Sequence, residues 1–355
     1  MSPMNNVSID RPSLSSASEI RDTITGVAAA AVGPLRRLIS DDDAKPLADR
    51  RVLITGGSSG IGAATAIAVA NAGGTPILVA RSLDKLEEVK AEVEAAGGTA
   101  FVYSCDVTDA DAVRAMIEYL VNEHKTIDYL VNNAGRSIRR SLSLSGDRFH
   151  DFERTMTLNY FAAIRLIMEL MPHMKEQQFG HIVNISSIGV QTNTPRFAAY
   201  VASKAALDAF SRVAASEVHG DGITFTTIHM PLVKTPMIAP TSMYDAFPTL
   251  SPEEAADMVL RALVKRPKEI GTPIGTIGEL SYTLAPGLVD VVLHQAYKLF
   301  PDSLAAQGVK DDEKKPKQEL GGSTQMLAKA AVAMQDQPLS RAAKRMVRVL
   351  PGIHW

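Results

Sequence analysis

The sequence predicts an α/β fold built on a doubly wound parallel sheet, and three observations lead to it. From Arg51 onward, short β-rich runs alternate with helix-length amphipathic segments. A glycine-rich turn joins the first run to the first helical segment. At 355 residues and 46% hydrophobic, the chain can also bury the core that such a sheet needs on both faces. Strands alternating with helices imply right-handed crossovers, parallel strands and helices on either side of the sheet.

The elements follow in order, with helical extensions expected at the N- and C-terminal ends. Residues 1–48 carry few periodic apolar positions and run into "SDDDAKPLADR", which marks an extension and linker. Their longest apolar stretch, "TGVAAAAVGPLRRLIS", is broken by Gly33-Pro34 and Arg36-Arg37; it is too short to span a bilayer, and Asp10 does not suit a signal peptide. The domain itself is expected over 49–305, with strands at "RVLIT", "PILVA", "AFVYSC", "DYLVN", "HIVNIS" and "TFTTIHM". The apolar segment "LSYTLAPGLVDVVLHQAYKLF" (280–300) either completes the core or lies over the site as a lid. Residues 306–355 join a charged linker, "KDDEKKPKQELGGS", to an amphipathic tail. That tail sets Leu339, Ala342, Ala343, Met346, Val347 and Leu350 against Arg341, Lys344, Arg345 and Arg348 at helical spacing, as in a helix docked on its own protein or lying on a membrane surface.

Composition excludes several classes of function. A net charge of −2 argues against a bulk surface for nucleic acid. A single cysteine, Cys105, excludes an internal disulfide framework, and no zinc-ligand cluster is present, so no metal is expected and the compartment reads as reducing and cytoplasmic. His150, His219 and His229 lack the Asp or Cys spacing of a triad or metal site.

"RVLITGGSSGIGAATAIAVANAG" places Gly56, Gly60 and Gly62 between a strand and a helix, where backbone N–H groups can approach a pyrophosphate. The next strand ends "LVARS". Ala80 stands where an NAD enzyme usually carries an acid for the ribose diol, and the adjacent Arg81 suits a 2′-phosphate, hence NADP(H). Asp84 is the competing acid, but it falls in the first turn of a helix capped by Ser82, where an acid suits the dipole. "YVASK" puts Tyr200 and Lys204 on one helix face, and an ammonium near a phenol lowers its pKa toward the range of a general acid. Thirteen residues earlier "NISS" ends a strand with Ser187, a hydroxyl able to hold a carbonyl oxygen.

In order and spacing, TGGSSGIG (55–62), Asp106 in "CDVTD", NNAG (132–135), Asn159, Ser187, Tyr200 and Lys204 resemble the short-chain dehydrogenase/reductases over about residues 50–265. The resemblance implies a Rossmann-type sheet of about seven strands. It implies that Thr55, Gly56, Ser58, Ser59, Gly60, Ile61 and Gly62 form the phosphate loop, that Asp106 and Val107 lie near the adenine, and that Asn133, Ala134 and Gly135 line the cofactor groove. Asn159 would anchor a water relay, Ser187 orient the substrate, Tyr200 donate the proton, and Lys204 bind the nicotinamide ribose. The family's P-G-x-V-x-T is here "PLVKT" (231–235), one residue shorter and without glycine, with Val233 and Thr235 in the places of the nicotinamide contacts.

"NNAGRSIRRS", "FHDFERTMTLNYFAA", "PLVKTPMIAPTSMYDAFPTLSPEEAADM" and the terminal "PGIHW" are similar, more narrowly, to bacterial fatty acyl-coenzyme A reductases of that family, from about Arg51 to Trp355. This implies reduction of long-chain acyl-CoA by NADPH to a fatty aldehyde, in some cases for wax esters. A homo-oligomer and a peripheral membrane contact through the tail are expected as well. Arg136, Arg139 and Arg140 would bind the phosphates of coenzyme A, above all through Arg139 and Arg140, unless acids such as Asp147, Asp151 or Glu153 pair with them. Direct hydride transfer needs no covalent nucleophile; the alternative acyl-enzyme would have only Cys105. A reductase of a ketone, such as a 3-oxoacyl or steroid carbonyl, would share every catalytic residue, and a non-catalytic cofactor-binding protein would not require all four.

Overall fold

The computed structural model describes residues 45–238, 249–299 and 302. The six apolar runs become strands: β1 (Arg51–Thr55), β2 (Thr75–Ala80), β3 (Phe101–Ser104), β4 (Tyr129–Asn132), β5 (Gly180–Ile185) and β6 (Ile223–Ile228). A seventh, β7 (Glu269–Ile270), is only two residues long and has no apolar run to announce it. The helices between them are α1 (Gly60–Asn71), α2 (Leu83–Ala95), α3 (Ala110–His124), α4 (His150–Met156), α5 (Ala162–Glu176), α6 (Ile188–Thr192), α7 (Ala198–Glu217) and α8 (Pro252–Lys265). The sheet is parallel throughout, in the order β3-β2-β1-β4-β5-β6-β7. The doubly wound fold expected from the sequence is therefore present.

Two apolar layers hold it together. Along β1 the side chains alternate: Val52 and Ile54 join one core with Leu78, Val69, Leu86 and Val259, while Leu53 joins the other with Ile77, Val79, Ile117 and Leu166. Because both faces are covered, β4 and β5 are buried at every position, which is why they read as continuous apolar runs and not as alternating ones. Leu47 is fully buried in the first core and its N–H bonds the Ala72 carbonyl, so packing begins before residue 49, where the domain was expected to start.

The strand order reverses beside β1, whose neighbours are β2 and β4. Open α/β sheets bind ligands at the carboxyl ends of the strands at such a switch point. The apolar segment at 280–300 falls on α9 (Pro273–Leu284) and α10 (Pro286–Leu299). α9 packs on α6, where a Cβ on Gly275 would lie 2.1 Å from Gln191 Oε1. Leu280, Leu284, Leu288, Val291 and Val292 are exposed, so this segment does not complete the core. No helix of the described residues is long and apolar enough to cross a membrane. The amphipathic tail and, apart from residues 45–48, the N-terminal extension lie outside the described residues.

Candidate active site

The glycine turn fixes the mouth of the switch point. After β1 the chain bends at Gly56 (φ +66°) and Gly60 (φ +55°), left-handed conformations that cost glycine little. Gly62 is required for a different reason: a Cβ there would lie 2.2 Å from the Gly56 carbonyl oxygen. Ser59, at the N-cap position of α1, makes no side-chain capping bond, so the helix presents uncapped N–H groups and the positive end of its dipole. A cleft of about 1000 Å³ opens there, lined by Ser58, Ser59, Gly60 and Ile61 among others. These features fit a dinucleotide pyrophosphate.

Thr55 does not line this cleft. It is buried, its hydroxyl donating to the Val131 carbonyl and accepting from the N–H groups of Asn133 and Ala134 (3.1 and 3.0 Å). The Asn133 amide in turn donates to the carbonyls of Thr55 and Gly56. The NNAG segment thus ties the end of β4 to the glycine loop, and Asn133, Ala134 and Gly135 also face the cleft.

At the far end of the cleft stand Arg81, Asp106 and Val107. Asp106 Oδ1 accepts from the Thr108 N–H and hydroxyl (2.9 and 2.7 Å), which hold its carboxyl below the usual range; Arg81 adds to this and partial burial opposes it. Lys85, in the first turn of α2, joins Arg81 on the cleft wall; no signal in the sequence singled it out. Asp84 lies in the first turn of that helix and does not line the cleft. Ser82 takes the N-cap position without a side-chain capping bond, contrary to the capping expected of it. Val233 is buried and bridges to Leu250, while the Thr235 side chain faces Gly60; both line the cleft despite the shortened PLVKT segment.

Ser187, Tyr200 and Lys204 converge on the same cleft. Ser187 follows β5 and caps α6, its hydroxyl accepting from the Gly189 N–H (3.0 Å). Lys204, buried one turn along α7 from Tyr200, donates to the Ile185 carbonyl at 2.6 Å. Burial pulls its pKa down to about 8, with Asp208 acting in the opposite direction. Burial raises the Tyr200 phenol, the Ser187 hydroxyl opposing and Asp208 adding to it. The sequence suggested the reverse for Tyr200; desolvation dominates because the ammonium is directed at a strand end. A protonated phenol is the form that can donate.

Asn159 sits in a π-helical turn, Thr157–Phe161, between α4 and α5. Its side chain brackets the residue after NNAG: Oδ1 accepts from the Arg136 N–H (2.8 Å), and Nδ2 donates to the Arg136 carbonyl (2.9 Å) and to Ser203 Oγ (3.0 Å). With the amide so engaged, a water relay at Asn159 would use its backbone carbonyl. The Arg136 side chain is exposed on the cleft wall.

Arg139 and Arg140, expected to hold coenzyme A most strongly, do not line this cleft. Arg140 pairs with buried Asp151 (3.1 Å) and borders a second cavity of about 520 Å³ near Tyr297. His229 is a core histidine with a partner. Its Nε2 lies 3.0 Å from Asp208 Oδ2, both side chains are buried, and Asp208 is one turn beyond Lys204 on α7. The two residues lie on β6's end and a helix, 21 positions apart, so no local spacing revealed the pair. Among the described residues no group of His, Cys, Asp and Glu could hold a metal ion.

Comparison with known proteins agrees with this geometry. The family model described as short chain dehydrogenase matches residues 50–244. A fatty acyl-CoA reductase of Acinetobacter baylyi is 47% identical over 303 residues, 85% of this chain and 94% of that protein. An uncharacterized oxidoreductase of Mycobacterium tuberculosis is 46% identical over 307 residues, 86% of this chain and 84% of the relative. Among solved structures, a 3-oxoacyl (acyl-carrier-protein) reductase from Agrobacterium tumefaciens with NADP bound is similar at a TM-score of 0.60 and 26% identity, over 67% of this chain and 98% of that one.

Proposed function

The chain belongs to the short-chain dehydrogenase family, and on that premise we propose that this oxidoreductase reduces long-chain fatty acyl-CoA to fatty aldehyde with NADPH. The observation that carries the reading is its likeness, over nearly the whole length of both chains, to the Acinetobacter fatty acyl-CoA reductase. Arg81 and Lys85, at the end of the cleft that also holds Asp106, support NADP(H) over NAD(H), because a 2′-phosphate needs cations there.

When bound, the reduced dinucleotide supplies a hydride to the thioester carbonyl carbon. Ser187 and Tyr200 hold the carbonyl oxygen where negative charge develops, and the Tyr200 hydroxyl passes its proton to that oxygen. The buried Lys204 ammonium, one helix turn from Tyr200 and held at the Ile185 carbonyl, would bind the nicotinamide ribose in the same cleft. The resulting hemithioacetal breaks its C–S bond: the hydroxyl proton is lost, the carbonyl re-forms as aldehyde, and coenzyme A departs as a thiol after taking up a proton. Ser203, which donates to the Tyr200 carbonyl and accepts from Asn159, ties this helix turn to the NNAG loop. Cys105 is poorly suited to an acyl-enzyme route. Its thiol is pushed up by burial and by Asp106 and Asp109, so little nucleophilic thiolate forms.

The test is purified protein with NADPH and an acyl-CoA series of rising chain length, measuring thiol, aldehyde and NADPH together. Equal yields of thiol and aldehyde are expected. NADPH oxidation without thiol release, on a 3-oxoacyl or other ketone substrate alone, would replace this reading with a ketone reductase.

A further inference from the structure

The α4 side of the cleft carries a charge arrangement that the carbonyl chemistry does not require. Asp151 is 2% exposed, yet three guanidinium groups and an imidazole approach its carboxylate. Arg140 Nε is 3.1 Å from Oδ2, Arg148 Nε 3.9 Å from Oδ2 and His150 Nε2 3.5 Å from Oδ1; Arg154 bonds Oδ1 directly. One carboxylate cannot neutralise three guanidinium groups. Glu153, the other acid on this part of the wall, leaves an excess of positive charge, to which Arg136 adds.

The members of the group differ in what remains available to a ligand. Arg140 is mostly enclosed, with 15% of its side chain exposed, and faces the second cavity. Arg154 and His150 are nearly half exposed while anchored at Asp151, and both line the cleft. Arg136 is held by its backbone on both sides of Asn159's amide, and its guanidinium has no partner among the described residues. Asp151 therefore acts as a buried post that orients cations toward the cleft, and Asn159 fixes a further one next to the catalytic turn. Such fixed guanidinium groups favour phosphate oxygens, which accept paired N–H bonds.

We propose that Arg136, His150 and Arg154 form a phosphate-binding wall that takes the coenzyme A half of the substrate. The proposal rests on the acyl-CoA reading above. It replaces Arg139 and Arg140 with residues that face the cleft. The same chemistry could instead serve the 2′-phosphate or pyrophosphate of NADPH, so the experiment separates the two sources.

The variants are Arg154→Ala and Arg136→Glu. The first could disturb the Asp151 cluster, but the second changes an exposed side chain with no partner among the described residues and leaves packing intact. Free coenzyme A, 3′-dephospho-coenzyme A and NADPH are titrated into each by calorimetry, and KM is measured for an acyl-CoA and for the matching phosphate-free acyl-pantetheine. The expected result is about a tenfold or greater weakening of coenzyme A binding and a matching rise in the acyl-CoA KM, with kcat, NADPH affinity and the acyl-pantetheine KM nearly unchanged. Loss of NADPH affinity would reassign the wall to the dinucleotide. Equal rises in KM for both thioesters, or wild-type protein that does not bind coenzyme A, would overturn the proposal. If the wild type binds coenzyme A through these residues but reduces no acyl thioester, the wall stands and the acyl-CoA reductase reading falls.

Discussion

The two ends of the sheet treat buried polar groups in opposite ways. At the amino end each is closed off. Asp128 accepts from the Arg50 guanidinium (2.7 Å) and the Arg51 N–H (2.9 Å), and His181 is flanked by the hydroxyls of Thr224 (2.8 Å) and Thr226 (3.3 Å). At the carboxyl end, Asn132 Oδ1, Ser186 Oγ, Asp208 Oδ1 and His229 Nδ1 are buried with no hydrogen-bond partner among the described residues. An unpaired buried polar atom costs stability, so a fold keeps such atoms where they serve another purpose. The amino end is built for stability and the carboxyl end for chemistry, although both belong to the same strands. Substitutions at the two ends should accordingly separate activity from stability.

The largest effect is expected for Tyr200→Phe, which removes the proton donor but keeps the ring. Turnover should fall by at least ~10²-fold with folding and dinucleotide affinity nearly intact. Single-turnover assays at near wild-type rate would remove Tyr200 from the chemistry. Next comes Arg81→Asp, at the cofactor end of the same edge. It should lower the NADPH over NADH preference, read as a ratio of kcat/KM, by about tenfold or more through charge reversal. An unchanged ratio would move the specificity to Lys85 or elsewhere.

Asp208→Asn tests the less visible part of the carboxyl end. Asp208 opposes the burial that draws Lys204 down to about 8, so without it the ammonium should lose its proton at lower pH. A rate that needs the ammonium then falls earlier on the alkaline side, by roughly three- to tenfold at pH 8.5, and recovers near pH 6.5. A uniform loss at every pH would make Asp208 purely structural.

The smallest effect belongs to the amino end. Burial keeps His181 neutral down to about pH 3, whereas in the unfolded chain it takes up a proton near 6.5. The unfolded state therefore binds more protons between those values, and stability is lost as pH falls from 6.5 toward 3, at up to about 1.4 kcal/mol per pH unit. His181→Gln should flatten that slope in denaturation curves while leaving turnover at pH 7 within about twofold of wild type. A steep slope in the variant would assign the acid sensitivity to other groups.

What the sequence made legible follows the same division. β1 through β6 and the glycine turn were readable because apolar runs and turn residues are local signals. β7 was not, since two residues at a sheet edge carry no pattern. Ser187, Tyr200 and Lys204 were readable through a short helical spacing and a strand end. The Asp208–His229 pair was not, because only the docking of α7 beside β6 brings its members together. The arginines after NNAG illustrate the limit. Three arginines close together signalled local positive charge, but only the fold shows that Asp151, eleven residues from Arg140, holds that guanidinium beside the second cavity. The direction of the Tyr200 pKa was misjudged for a related reason: spacing showed that an ammonium was near, but gave neither the burial of the phenol nor the carbonyl at which the ammonium points.

The bond from the Lys204 ammonium to the Ile185 carbonyl also bears on how the chain folds. Tyr200 and Lys204 can lie on one face of α7 as soon as that helix forms, but the ammonium is fixed only after α7 has seated against β5. Helical signal and catalytic activity should therefore not return together during refolding. Regain of turnover times the closure of the helix onto the strand, and it lags the circular dichroism of α7 by whatever that docking step requires.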